Sequence, residues 1–291
     1  MNAHSQGVKV FNTGHELRTH LGTSGRCVLV PTMGALHAGH ADLVARGAAL
    51  ARQHQLGAGC VVSIFVNPSQ FDDPADFGRY PKTLDADIAL CERAGGGAAC
   101  IYAPAVEDVY PPPPAEPVIA PPLPAVATEP RLEDTVRRGH FAGVCRVVKR
   151  LLEIVEPRLA VFGEKDWQQL QVVLAMTREA RMGIDIIGAP TVREADGLAM
   201  SSRNRFLSAE DRRRGLAISR ALRAVQGVRS AKEAEKHMDD ILAAESITPD
   251  YAVVRDAATL LGPGDVGPWR ALIAAKVGSV RLIDNAAWEP G

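Results

Sequence analysis

A chain of 291 residues, 46% hydrophobic and 23% charged, has the composition of a folded protein and the length for one large domain or two unequal ones. Its formal net charge of −1 lacks the basic excess with which nucleic-acid binders neutralise phosphates, so we expect no nucleic-acid partner. The five cysteines are scattered and include no C-x-x-C pair. No apolar run approaches the roughly 20 residues of a membrane span, and the start of the sequence has no signal-peptide pattern. We therefore expect a cytoplasmic protein with no membrane partner.

Short apolar runs alternate with longer helical patterns through the first two thirds of the chain. Apolar residues recur at helical spacing near residues 43–51, 84–94, 144–155 and 170–174. This alternation predicts an α/β fold, a Rossmann-like parallel sheet with helices on both faces, although a short apolar run is also compatible with a buried helix. The runs typical of buried strands are Cys27–Val30, Cys60–Val66, Ala98–Tyr102, Leu159–Phe162 and Ile184–Ile187.

The segment 111–124 contains eight prolines, which excludes a helix interior or a central strand. We interpret it as an extended surface excursion, with a linker or a proline-rich docking peptide as the alternatives.

The pattern changes after about residue 188. Ser208 followed by Asp211 is similar to a capping box and predicts a helix to about Val225. We therefore predict two domains, a larger Rossmann-like domain at 1–188 and a small C-terminal α+β domain at 189–291. The further elements predicted in the second domain are a helix at Ala231–Ala244 and strands at Tyr251–Val254, Ala271–Ala275 and Val280–Ile283.

The decapeptide PTMGALHAGH, residues 31–40, lies between the first strand and the first helix of that alternation. Ligands of open parallel sheets bind beyond the carboxyl ends of the strands, where a helix N-terminus attracts phosphate. His37 and His40 can donate hydrogen bonds to phosphate oxygens, and Gly34 and Gly39 allow the backbone to approach a ligand. A nucleotide site is the preferred interpretation, and ordinary loop or capping histidines are the alternative.

Six motifs in order resemble one family. They are PTMGALHAGHADL (31–43), SIFVNPSQF (63–71), RYPKTLDAD (79–87), RRGHFAGV (137–144), VFGEKDWQQL (161–170) and READGLAMSSRN (193–204). Together they resemble the pantothenate synthetase (pantoate–β-alanine ligase) family of HIGH-type nucleotidyltransferases. The resemblance implies that the domain at 1–188 binds the nucleotide and pantoate and that the domain at 189–291 is a lid.

The resemblance implies an ATP-dependent condensation of (R)-pantoate with β-alanine through a pantoyl adenylate, giving pantothenate, AMP and diphosphate. It implies Mg²⁺ bound with the co-substrate ATP, and a homodimer. We take Asp87 as the candidate carboxylate ligand of the metal, with Asp85 as the weaker candidate; both are equally compatible with acidic residues at a helix start.

The resemblance also implies a role for particular side chains. His37, His40 and Lys165 would be catalytic, and Gln70 and Asn67 would bind β-alanine. Pantoate would contact Met33, Gln70, Gln169, Val144, Val147 and Val148. ATP would contact Met33, Gly34, Ala35, Leu36, His37, Ala38, Gly39, His40, Gly163, Glu164, Lys165, Asp166, Val192, Met200, Ser201, Ser202 and Arg203.

The chain departs from the family pattern at a few positions. Arg138 replaces a proline, Arg146 a small polar residue and Trp167 a Phe or Tyr, and residues 132–134 read LED rather than LEG. The loop geometry around 131–146 and the size of the pocket are where these departures would act, and they remove no phosphate-binding or amide side chain.

Three other functions are less compatible with these motifs. Another HIGH-type adenylyltransferase acting on a phosphate-bearing substrate would need a second cationic site, which the neutral Gln70 and Gln169 argue against. A non-catalytic nucleotide-binding homologue would be expected to have lost the polar motif residues, which are all present. An NAD-dependent oxidoreductase is disfavoured because no G-x-G-x-x-G follows a strand.

Overall fold

The computed structural model describes residues 7–23, 26–70, 77–78, 80–264 and 266–291, so Phe71 and Arg79 of the motifs lie outside the described residues. The chain forms two compact units and passes between them several times. Met1–Leu123, Gly139–Gly163 and Val173–Ala189 make up the first unit, and Pro124–Arg138, Glu164–Val172 and Pro190–Gly291 the second. The predicted domain boundary at 188/189 lies beside the last of these junctions and stays a prediction.

The first unit is built on a parallel sheet in the order β1-β4-β3-β2-β5-β6. The two central strands read as near-continuous apolar runs because both of their faces are covered. Neighbouring β2 and β5 are parallel, so their carboxyl ends lie at the same edge of the sheet. The strands are β1 Lys9–Phe11, β2 Cys27–Thr32, β3 Gly59–Ile64, β4 Cys100–Tyr102, β5 Leu159–Gly163 and β6 Asp185–Ala189.

The helices complete the layers and confirm the predicted fold class. In chain order they are α1 Gly14–Leu21, α2 Ala38–Gln53, α3 Leu84–Arg93, α4 Val106–Val109, α5 Glu133–Val136, α6 His140–Val155, α7 Trp167–Glu179, α8 Ala209–Ala224 and α9 Ala231–Ala244. In the first unit, α2 packs on β2 and β3 through a core that includes Val28, Val44 and Ala48, while α6 packs on β2 and α1.

The second unit contains an antiparallel sheet of β7 Pro249–Asp256, β8 Trp269–Val277 and β9 Val280–Trp288, against which α8 and α9 pack. Ser208 caps α8 as predicted, because its Oγ accepts the Asp211 N–H at 3.0 Å. The core of this unit is apolar and fully buried, and includes Ile218, Met238 and Ile273.

Several features differ from the prediction, among them the short helices α1, α4 and α5, which were not predicted. The edge strand β1 was not predicted, and β3 ends at Ile64 rather than Val66 because the chain leaves the sheet for a 3₁₀ turn at Pro68–Gln70. Residues 111–124 contain neither helix nor strand, as their prolines require. Within the described ranges, no helix is long and apolar enough to cross a membrane.

Candidate active site

The turn from β2 into α2 is organised by two histidines that cap the helix reciprocally. The Gly39 N–H donates to His37 Nδ1 at 3.2 Å, and the His37 N–H donates to His40 Nδ1 at 3.3 Å. The ring centroids are 4.1 Å apart and the rings are tilted by 44°. Two backbone donors that a helix start leaves unpaired are satisfied in this way. Since each Nδ1 accepts a hydrogen bond, the proton of each neutral imidazole is on Nε2.

A buried carboxylate holds the residues just before this cap. Asp87, at 2% exposure, accepts the N–H groups of Ala35 at 3.0 Å and Leu36 at 2.7 Å, and the Thr83 hydroxyl lies 3.2 Å from both of its oxygens. Gly34 and Ala35 have φ values of 79° and 51°. The left-handed region is unfavourable for Ala35, so the Asp87 hydrogen bonds stabilise a strained turn.

The 3₁₀ turn after β3 is fixed by the amide of Asn67, which is 1% exposed. Its Nδ2 donates to Gln70 Oε1 and to the Gly143 carbonyl, both at 3.2 Å. Its Oδ1 accepts from the Ser69 N–H at 3.2 Å and hydroxyl at 2.9 Å, and from the Tyr110 hydroxyl at 3.0 Å. Burial raises the pKa of Tyr110, which keeps this hydroxyl protonated as a donor. Both ends of the Asn67 amide are thus engaged within the protein.

Gln70 is oriented by these bonds. Because its Oε1 accepts from Asn67, its Nε2 faces the other way and lies 2.6 Å from Met33 Sδ. Gly143 packs so closely against the turn that a Cβ there would lie 2.2 Å from the Ser69 carbonyl oxygen. The structure therefore brings Gln70, Met33 and the first turns of α6 together, and α6 also carries the buried Val144, Val147 and Val148.

In the second unit, residues 192–200 form a hairpin. The Met200 N–H donates to the Val192 carbonyl at 2.9 Å, which places two predicted ATP contacts side by side. A 3₁₀ helix, Ser202–Phe206, follows, and Ser201 caps it by accepting the Arg203 N–H at 3.3 Å. Asn204 binds this helix back to the hairpin through Glu194 Oε1 at 2.6 Å.

The GEKD motif is a 3₁₀ turn, Glu164–Asp166, between β5 and α7. Lys165 Nζ lies 3.8 Å from Asp166 Oδ2. Gln169 lies in the first turn of α7, beside Gln168, whose buried amide donates to the Val126 carbonyl at 3.0 Å and so has a structural role.

The predicted site residues thus fall into two groups. The first unit carries Met33–His40, Asn67, Gln70, Asp87, Val144, Val147, Val148 and Gly163; the second carries Glu164–Asp166, Gln169, Val192 and Met200–Arg203. No group of three or more His, Cys, Asp or Glu side chains suited to a metal ion occurs among the described residues.

Sequence reasoning missed the residues that hold these side chains in place, above all Tyr110, Arg270, Asp284 and Asn285. Tyr110 lies beside the proline run and carries no local signal. Asp284 and Asn285 did carry one, because these two consecutive polar residues lie in the middle of the strand VRLIDNAAW, and both prove to be at 4% exposure. Buried polar groups in a strand indicate specific hydrogen-bond partners.

Comparison with known proteins finds one family over nearly the whole chain. The family described as pantoate–β-alanine ligase matches residues 9–287. The pantothenate synthetase of Rubrobacter xylanophilus is 46% identical over 278 residues, which cover 89% of this chain and 90% of that protein. The pantothenate synthetase of Bacteroides fragilis is 41% identical, with 97% and 99% covered.

Solved structures are similar over nearly the whole chain. The crystal structure of pantothenate synthetase from Thermus thermophilus has a TM-score of 0.84 and 41% identity, covering 96% of this chain and 99% of that one. The pantoate–β-alanine ligase from Francisella tularensis, complexed with beta-gamma ATP and β-alanine, has a TM-score of 0.75 and 28% identity, covering 98% and 99%.

Proposed function

The chain belongs to the pantoate–β-alanine ligase family, and from that premise we propose which residues carry out its ATP-dependent condensation of pantoate with β-alanine. We propose that the route passes through a pantoyl adenylate. A carboxylate is a poor electrophile with a poor leaving group, and transfer of AMP onto it creates a phosphate-stabilised leaving group. The β-alanine amine then attacks the acyl carbon and releases AMP. Such a sequence needs mainly positioning and neutralisation of phosphate charge.

The observation that carries the proposal is the reciprocal cap of His37 and His40. Both Nδ1 atoms accept backbone N–H groups, so both neutral rings are donors at Nε2. Two N–H donors at a helix N-terminus, beyond the carboxyl end of β2, suit the α-phosphate of ATP and the charge that develops on it during adenylate formation. We therefore assign both histidines to stabilisation of the transition state.

We assign pantoate to Gln70, Met33 and α6. The bond from Asn67 turns the Gln70 Nε2 outward from the 67–70 turn, where it can donate to a pantoate oxygen. Val144, Val147 and Val148 offer an apolar wall to the two methyl groups of pantoate, a contact that contributes roughly 0.8 kcal/mol per methyl. Gln169 supplies the second neutral amide. Since the Asn67 amide is already engaged, the contacts favour an indirect role for Asn67 toward β-alanine, through Gln70.

The phosphates of ATP are assigned further partners in the second unit. Lys165 is a compact cation suited to a phosphate, and Asp166 is suited to the ribose hydroxyls. Val192 and Met200, adjacent across the hairpin, would contact the adenosine, with Ser201, Ser202 and Arg203 following them toward the phosphates. Gly163 and the 33–40 turn would contact ATP through their backbone.

We also propose that Mg²⁺ binds together with ATP. Asp87, the predicted carboxylate ligand, is only partly suited to the ion. Asp87 already accepts two N–H groups and lies within hydrogen-bonding distance of the Thr83 hydroxyl, which leaves about one lone-pair site of the four that a carboxylate offers. Mg²⁺ commonly takes most of its ligands from phosphate oxygens and water. We therefore assign the ion mainly to ATP, where it would neutralise phosphate charge, and we assign Asp87 mainly to the turn. The homodimer and the cytoplasmic location stay predictions.

The test of the adenylate route is isotope exchange. With Mg²⁺, ATP and pantoate but no β-alanine, the protein should exchange labelled diphosphate into ATP, because the first step is reversible. Exchange that needs β-alanine, or no exchange at all, would contradict the route. An unbranched hydroxy acid in place of pantoate should exchange more slowly by about 10-fold, the scale of losing two buried methyl contacts.

A further inference from the structure

We propose that Asn285 is a positioning residue for Lys165. The proposal rests on the phosphate role assigned to Lys165 above, and it concerns the turn that carries this lysine rather than the lysine side chain itself. Every contact in the argument lies within the second unit.

The Asn285 amide binds two consecutive carbonyls of the turn. Its Nδ2 donates to the Glu164 carbonyl at 3.0 Å and to the Lys165 carbonyl at 2.8 Å, across 121 and 120 residues of sequence. Both amide hydrogens are thereby used. Asn285 is 4% exposed, and a buried amide without partners is costly, so these bonds fix the side chain and the turn to each other.

Arg270 determines which end of the amide faces the turn. Its Nε donates to Asn285 Oδ1 at 2.6 Å, which leaves the Nδ2 end for the two carbonyls. Its second guanidinium nitrogen binds Glu164 Oε2 at 3.0 Å, and the guanidinium carbon lies 3.4 Å from the centre of the Trp167 ring. The turn is therefore held on both sides of Lys165, through the residues at 164 and 167.

Asp284, the residue before Asn285 on β9, holds the base of the segment Met200–Arg203, which we assign to the ATP phosphates. Asp284 lies on the opposite face of the strand, pairs with Arg193 at 2.7 and 3.0 Å, and accepts the Asn285 N–H at 2.8 Å. Arg193 in turn donates to the Gly197 carbonyl of the 192–200 hairpin at 3.1 Å. One dipeptide of β9 therefore fixes both the GEKD turn and the base of the Met200–Arg203 segment.

The consequence is that Lys165 depends on the C-terminal sheet for its position, although its turn directly follows a strand of the parallel sheet. A displacement of about 1 Å in a substrate-positioning group can cost roughly 10²-fold in rate. Loss of the two Asn285 donors should therefore impair the ATP-dependent step and raise the KM for ATP, while the KM for pantoate should stay unchanged.

The test is a double-mutant cycle read by diphosphate exchange. Asn285→Asp keeps the shape of the side chain and the acceptor for Arg270, but it replaces the two donors with an acceptor that faces two carbonyls. In the wild-type background it should lower kcat/KM for ATP by at least 10-fold. In a Lys165→Ala background it should lower it by less than 2-fold, because there is no ammonium left to position.

Two results would overturn the inference: an equal loss in both backgrounds, or no loss in the wild-type background. A normal exchange rate for Lys165→Ala alone would instead overturn the phosphate role of that lysine, which is a separate outcome.

Met238→Ala is the matched control, since it lowers the stability of the same unit from a buried position in its core and should keep both KM values. If Asn285→Asp does not fold, Arg270→Lys takes its place in the cycle. This substitution removes the bond that orients the Asn285 amide and keeps a positive charge beside Glu164. We again expect a large loss of kcat/KM for ATP in the wild-type background and a small loss in the Lys165→Ala background.

Discussion

Each motif histidine has two ring nitrogens, and we propose a different role for each. Nδ1 caps α2, whereas Nε2 carries the proton that the proposed mechanism uses. The capping interpretation and the nucleotide interpretation of HAGH are therefore compatible. A proton relay between the two rings is disfavoured, because neither Nδ1 is available to receive a proton while it accepts a backbone N–H.

Two substitutions of His40 separate these tasks. In Asn the amide can occupy the position of Nδ1, and in Gln it can occupy the position of Nε2. We expect His40→Asn to retain the helix cap and lose about 10²-fold or more in exchange rate, the scale of one missing transition-state donor. We expect His40→Gln to retain more activity but to lose about 1 kcal/mol of stability with the cap. Exchange rates and urea unfolding measure the two effects, and equal rates in the two variants would contradict the assignment of Nε2.

At the scale of elements, the β2–α2 turn depends on a residue from a different helix. Asp87, in the first turn of α3, supplies the carboxylate that binds Ala35 and Leu36. A helix start is where a carboxylate is favoured by the helix dipole, so this position serves both α3 and the turn. The sequence pattern alone does not distinguish this anchor from a metal ligand.

Asp87→Asn distinguishes the anchor from the ligand. The substitution replaces one acceptor oxygen with an NH₂ group opposite a backbone N–H, which should cost about 1–3 kcal/mol of stability and raise the KM for ATP. If Asp87 acts as the anchor, excess Mg²⁺ will not restore activity. Asp85→Asn is the matched control, because Asp85 is exposed in the same helical turn and should behave as wild type. Recovery of Asp87→Asn at high Mg²⁺ would instead identify the side chain as a metal ligand.

The elements differ in how far the sequence predicts them, and burial explains the difference. β2, β3 and β5 are covered on both faces, so each is an apolar run that the pattern indicates directly. β1 has three residues at the edge of the sheet, too few for a periodic signal. The motifs locate the side chains proposed to touch substrates. They do not locate Tyr110, Arg270 or Asn285, whose partners are 15 to 121 residues away in sequence and are defined only by the folded chain.

At the scale of the whole molecule, the chain builds its second unit from three separate stretches, and a buried ion-pair network binds one of them to the C-terminal sheet. Glu133 of α5 accepts from both terminal nitrogens of Arg281 at 2.6 and 2.8 Å and from the Tyr251 hydroxyl at 2.7 Å. Arg281 also binds Asp250 at 2.6 Å. This network fixes the segment 124–138, which includes the LED departure, to β7 and β9.

The network should make the stability of the second unit depend on pH. Burial alone would raise the pKa of Glu133, but the hydrogen bonds and charge of Arg281, with the bond from Tyr251, hold that pKa below its ordinary value of 4.5. The folded state therefore binds fewer protons at this group than the unfolded state, and its stabilisation is complete above about pH 4.5 and is lost as the pH falls through the folded pKa.

Glu133→Gln tests this dependence. At pH 7 we expect it to lower the free energy of unfolding by about 3 kcal/mol, since it removes one partner of a buried pair. The difference from wild type should shrink as the pH falls from 4.5 toward 3, because the wild-type carboxylate then loses its charge as well. Urea unfolding at pH 7, 5, 4 and 3 measures the difference, and Glu289→Gln, at an exposed position, should follow wild type throughout. A difference between wild type and Glu133→Gln that stays constant from pH 7 to pH 3 would show that the Arg281 pair does not make the stability of this unit pH-dependent.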